Sequence, residues 1–228
     1  MTGAPDDPRS GTDRPDLPSS SLGVLQRILQ SRPPPPPGKR CEMCASPIPV
    51  DHGHVVDIER RALMCACQGC RLLFEHDGAG SGRFRAVSDR YLSFDDLALD
   101  DGVWEALQIP VSIAFFFHNS QIGGPVALYP SPGGATESEL PLDDWRELVT
   151  GDGRLATLRD DIEALLVRRD REGFTCYLVP ITACYELVGT VRQHWRGFDG
   201  GQQAREAIAA FFDTLARRSR PAEEVTSS

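Results

Sequence analysis

A chain of 228 residues has room for one ordinary domain and a small module, and not for several large domains. With 40% hydrophobic and 25% charged residues it has the composition of a globular protein, and its formal charge of −9 is spread along the chain. That balance argues against a nucleic-acid surface, which needs clustered basic residues to displace phosphate counterions, and apolar runs such as 113–117 are far too short to span a bilayer.

The N-terminus begins MTGAPDDPRSG, with neither a basic leader nor an apolar core of a signal peptide. A cytoplasmic location is the resulting expectation, and there thiols stay reduced. Residues 1–39 read as a disordered, Pro-rich tail with one short amphipathic helix in SSLGVLQRILQSR, where Leu22, Leu25, Ile28 and Leu29 share a face. The run 33–37 is a stiff polyproline spacer.

Residues 40–90 form a cysteine module. HVVDIERRALMCAC reads as a hairpin, with a strand around Val55 to Ile58, a charged turn at Glu59 to Arg61 and a return through Leu63 to Cys67. RLLF is placed to pack beneath it, and GAGSG turns the chain into the short strand RFRAV.

Residues 91–218 change pattern. DDLALDDGVWEALQ suggests short helical turns, VSIAFFF and PVALYP read as buried strands, and LPLDDWRELV carries a helix start. ALLVRRD and FTCYLVPI flank REG as a hairpin. ITACYELVGTVRQHW and GGQQAREAIAAFFDTLARR are helices, the second with Ala207, Ile208, Phe211, Phe212 and Leu215 on its apolar face. Grouped rather than alternating elements predict an α+β fold, in which a small zinc-ribbon or rubredoxin-like β module precedes an antiparallel sheet with packed helices. Residues 219–228 read as a disordered tail.

Seven cysteines occur, five of them in the module. Cys41-x2-Cys44 and Cys67-x2-Cys70 each make a tight turn that presents two thiolates, and the hairpin between brings the turns together. The module has few large apolar residues, so its core offsets little of the entropy of ordering it. A structural Zn2+ supplies on the order of 10–16 kcal/mol in comparable small sites; iron in the same four thiolates is the alternative.

Cys65 is a fifth thiol. An extended return strand puts it on the same side as Cys67, where it is a packing thiol, a ligand in place of Cys67, or a sign of a redox metal. His52 and His54 lie between the pairs as ordinary loop residues, as metal ligands, or as donors to a ligand sulfur. Cys176 and Cys184 read as core residues, and His194 suits a helix C-terminus. The loop YPSPGGATESEL, residues 129–140, offers Ser131, Thr136, Glu137 and Ser138 as a candidate binding loop. The glycines of GFDGGQQA serve a helix start or an anion. No nucleophile elbow, phosphate loop or HExxH motif occurs, so no catalytic residue is assigned.

In order, RCEMC, HGHVVD, LMCACQGCRLLF, RFR, IPVSIAFFF, YPSPGGATES and LVPITACYELVGTVRQHWRG resemble an actinobacterial domain family of unknown function. Its genes accompany those of uptake nickel–iron hydrogenases, and the resemblance covers about residues 38 to 217. It implies an accessory, maturation or electron-transfer role beside a hydrogenase subunit or maturation factor, with Cys41, Cys44, Cys65, Cys67 and Cys70 at family-like positions. The leading expectation is a non-enzymatic metal-binding accessory protein. A rubredoxin-like electron carrier is the second reading, an enzyme using residues 129–140 the third, and a nucleic-acid-binding ribbon the fourth.

Overall fold

A computed structural model of the chain describes residues 39–76, 78–97, 99–107, 109–138, 151–197 and 200–223. The N-terminal amphipathic helix, the polyproline run, the LPLDDWRELV helix start and the last residues lie outside them. The fold is α+β, with an antiparallel three-stranded sheet and a mixed seven-stranded one.

The cysteine segment contributes β1 (Gly53–Asp57), β2 (Ala62–Ala66), a one-turn helix α1 (Gln68–Leu72) and β3 (Phe84–Ala86). β1 lies in the centre, antiparallel to both neighbours. The turn after β1 closes with Arg61 at positive φ, while the Asp57 carboxylate accepts from the Arg60 amide. Of RLLF only Phe74 packs against this module; Leu72 and Leu73 are exposed.

The larger sheet is built from β4 (Leu92–Phe94), β5 (Ile113–Asn119), β6 (Gly124–Ser131), β7 (Gly134–Glu137), β8 (Glu163–Arg169), β9 (Phe174–Pro180) and β10 (Arg220–Pro221). Their order is β10-β4-β9-β8-β5-β6-β7, and only the β10–β4 pair is parallel. Three further helices accompany it, α2 (Asp101–Ala106), α3 (Ile181–His194) and α4 (Gly201–Arg218).

Central strands buried on both faces lose the apolar–polar alternation of a half-exposed sheet. In β8, Ala164 and Leu166 join the core under α3 and α4, while Leu165 and Val167 join the core that holds Trp104, Leu107 and Leu155. Cys184 and Cys176 are buried in the first and second of these cores respectively. Along α4, Ala204, Phe212 and Leu215 are buried, whereas Ala207, Ile208 and Phe211 are half-buried.

The cysteine module shares the first core. Val56, Ile58 and Val87 cluster with Phe115, Leu166 and Val179. Two ion pairs reinforce the junction. Arg90 Nε and Nη2 reach the fully buried Glu163 carboxylate at 3.0 and 2.7 Å, and Arg85 Nη1 lies 3.4 Å from the buried Asp161.

Within the module, Arg83 donates to both oxygens of the buried Asp57, at 3.1 Å from Nε to Oδ1 and 2.6 Å from Nη2 to Oδ2. These side-chain hydrogen bonds hold Asp57 below its ordinary value of 3.8 against the opposing effect of burial. A carboxyl held low in the folded chain adds stability that is complete above its unfolded value and is lost as the pH falls through its folded value. Unfolding free energy is therefore expected to decline below about pH 4, and Asp57→Asn to remove part of that slope in urea titrations. A variant whose acid profile superimposes on the parent's would exclude this pair as a source.

Candidate metal centre

Two turns and one hairpin assemble four thiols. The first turn is closed by the Ala45 amide donating to the Cys41 carbonyl at 2.8 Å and the Cys41 amide donating to the Ser46 carbonyl at 2.8 Å, with Ala45 at positive φ. In the second, Cys67 caps α1 and its Sγ accepts from the Cys70 amide at 3.4 Å. The Glu42 amide donates to the Cys65 carbonyl at 2.9 Å, fastening the first turn to β2.

The Sγ atoms of Cys41, Cys44, Cys67 and Cys70 all lie within 4.8 Å of one another. The Cys44 and Cys67 sulfurs are 3.7 Å apart. Thiolates at tetrahedral corners about 2.3 Å from a zinc ion stand about 3.8 Å apart, so this edge fits a four-thiolate ion without rearrangement. No disulfide forms among the described cysteines. Cys41 is buried with Val55 and Ala66, Cys67 and Cys70 are half-buried, and Cys44 is exposed.

The four sulfurs are electrostatically unequal. The Ser46 hydroxyl and amide, followed by the Cys41 and Cys70 thiols, bring Cys44 down to about 6. Burial, then the Cys44, Cys67 and Cys41 neighbours, pushes Cys70 up to about 12. Burial opposes ionisation of Cys41, but backbone hydrogen bonds at Cys67, Cys44 and Met43 outweigh it and lower that thiol. A cation among them supplies the charge that lets all four ionise together.

Cys65 belongs elsewhere. It pairs with His54 across β1 and β2, and it groups with His52 and His54, their donor atoms all within 4.8 Å. The expectation that Cys65 and Cys67 share a side assumed one continuous strand. β2 stops at Ala66, and Cys67 beyond it caps α1 with its sulfur turned to the Cys70 amide, so ladder alternation no longer relates the two sulfurs. Burial, then the Glu42 carboxylate, pushes the Cys65 thiol up. Burial, then His52 and Lys39, lowers His54. Sequence reading named these three as possible extra or alternative ligands but not as a group apart from the four thiols, because the cross-strand register that joins His54 to Cys65 is set by the turn.

The residues named as a candidate binding loop lie on a β-hairpin. β6 runs through Ser131 and β7 starts at Gly134. Ser131 Oγ donates to the Gly134 carbonyl at 2.9 Å and accepts from the Gly133 amide at 3.2 Å, while Thr136 Oγ1 lies 3.0 Å from it. Glu137 pairs with Leu128, and the Ser138 amide donates to the Ala127 carbonyl. The two hydroxyls therefore serve the turn's own geometry.

Among the described residues no helix is long and apolar enough to cross a membrane. The model of a family of unknown function (DUF5947) matches residues 40–219, and the chain belongs to that family. No curated protein and no solved structure matches the chain.

Proposed function

We propose that this DUF5947 member is a non-enzymatic, metal-binding accessory protein whose Cys41, Cys44, Cys67 and Cys70 hold a structural zinc ion. Residues 40–90 are then a zinc-ribbon-like module that the metal rigidifies. The 3.7 Å sulfur–sulfur edge carries this reading, because it is the spacing a tetrahedral tetrathiolate ion needs. Poverty of the module's own core supports a structural role: only Cys41, Val55 and Ala66 are fully buried in its cluster.

The module's partner-facing role is proposed beside a nickel–iron hydrogenase, in assembly, maturation or scaffolding. Support for that context is the ordered set of motifs from RCEMC to the VRQHWRG helix. Pull-down from the native host is expected to enrich a hydrogenase subunit or maturation factor; its absence would remove the hydrogenase part and leave the metal site standing.

One observation favours a second reading. Cys44 is exposed, and a ligand sulfur at the surface is where electrons enter and leave a rubredoxin-like iron centre. Elemental analysis with a visible spectrum separates the two. A colourless protein with zinc in the tetrathiolate site is expected; stoichiometric iron with a ferric–thiolate absorption would replace the zinc reading with the carrier.

A further inference from the structure

The hairpin has two faces, and each carries a group of metal-binding side chains. Val55 and Ala66 pack with Cys41, Cys67 and Cys70. The alternate residues Val56 and Leu63 face the large core. By strand alternation His54 and Cys65 project on this second face, directly opposite each other in the β1–β2 register. His52, two residues before His54, stacks on it with ring centroids 4.7 Å apart. Gly53 between the two histidines is held without a side chain, since a Cβ there would come 2.4 Å from Arg71 Cδ.

The His52 ring is prepared for ligation. Its Nδ1 lies 2.9 Å from the Pro49 and Val50 carbonyls, so it carries the proton and donates it to one of them. That leaves the lone pair on Nε2. Nε2 is buried with no hydrogen-bond partner, a costly state for a neutral imidazole nitrogen unless something occupies it. Imidazoles that ligate metals are oriented in this way, with the other ring nitrogen donating to a carbonyl.

We propose that His52, His54 and Cys65 form a second, separate site for a divalent transition ion. Two imidazoles and one thiolate are the donors of borderline ions such as zinc and cobalt. Donors sharing a tetrahedral ion stand about 3.3–3.6 Å apart, and one ring nitrogen from each histidine and the Cys65 sulfur already lie within 4.8 Å of one another, so small side-chain rotations close the group on a metal. The protein supplies three ligands. His52 and His54, without Cys65, also line a cavity of about 270 Å³ together with Asp89, Tyr91, Glu186 and Arg218, through which water or a small ligand reaches the imidazole side of the site. An open position distinguishes this site from the closed tetrathiolate, and the site does not depend on the zinc reading of the other.

Cobalt titration of the full-length, metal-stripped and reduced chain tests it. Two equivalents are expected, one with the intense charge-transfer bands of a tetrathiolate and one with the weaker bands of a single-thiolate, two-imidazole site. His52→Ala/His54→Ala is expected to lose the second equivalent and keep the first. Cys41→Ser/Cys44→Ser is expected to lose the first and keep the second. A parent chain that binds a single equivalent with tetrathiolate bands, or a histidine variant that still binds two, would overturn the proposal. Imidazole nitrogen resonances of the unmodified chain give a reading that needs no variant: Nε2 of His52 should shift on saturation with zinc, and unmoved His52 and His54 signals would also overturn it.

Discussion

Cys41→Ser is expected to abolish binding at the tetrathiolate site and to open the module around it. Amide exchange should accelerate at residues 40–49 and 67–72, while the β1–β2 pairing, β8 and β9 keep most of their protection. Metal supplies on the order of 10–16 kcal/mol of apparent binding free energy in small sites of this kind, and the module has little to set against its loss. Cys41 is itself one of three buried residues in the local cluster, so serine removes a ligand and a core contact together. The opposite face of β1 remains anchored through Val56 and Ile58 to the large core, which is why opening should stay local. Adding a strong chelator to the parent should reproduce the pattern. Exchange unchanged by either treatment would mean that the module folds without metal.

Arg90→Ala is expected to destabilise the chain by about 3–5 kcal/mol, the cost of stranding a buried carboxylate. Glu163 is fully buried, and Arg90 supplies it with two charge-assisted hydrogen bonds of 3.0 and 2.7 Å. Only the Arg159 amide, at 3.0 Å, would remain to it. Arg90 also donates from Nη2 to the Thr157 carbonyl at 2.9 Å, so the same guanidinium holds the segment before β8. Arg90→Met with Glu163→Leu should recover much of the loss, because removing both charges removes the desolvation penalty. Urea unfolding checks both; a single variant within about 1 kcal/mol of the parent would show that losing Arg90 does not strand a buried charge.

Long elements with strong patterning were legible from sequence. The paired C-x2-C spacings announce two thiolate turns, and VSIAFFF, ALLVRRD and FTCYLVPI supply β5, β8 and β9 at the centre of the larger sheet. The α3 and α4 helices follow from their i, i+3 and i+4 apolar spacing. The shortest strands were not legible. β4 has three residues and β10 has two, too few for a period of two to show, and both are defined by the partner rather than by their own composition. β7 was masked by the turn residues of SPGG, which close a hairpin rather than open a loop.

At the site, spacing revealed the ligand pairs but not the direction of the spare sulfur. Alternation relates Cys65 to Cys67 only while the strand continues, and it ends between them. His52 and His54 were open as loop residues or metal ligands, because the choice depends on the register His54↔Cys65, which no local pattern encodes. A turn of one residue more or less after β1 would place a different side chain opposite His54.

Native mass spectrometry of the purified chain, beside Cys41→Ser/Cys44→Ser, tests the central claim most directly. The double variant should carry one metal ion fewer than the parent while retaining whatever His52, His54 and Cys65 hold. A parent chain that carries no metal under zinc-replete conditions, or a double variant with the parent's full metal content, would contradict the account.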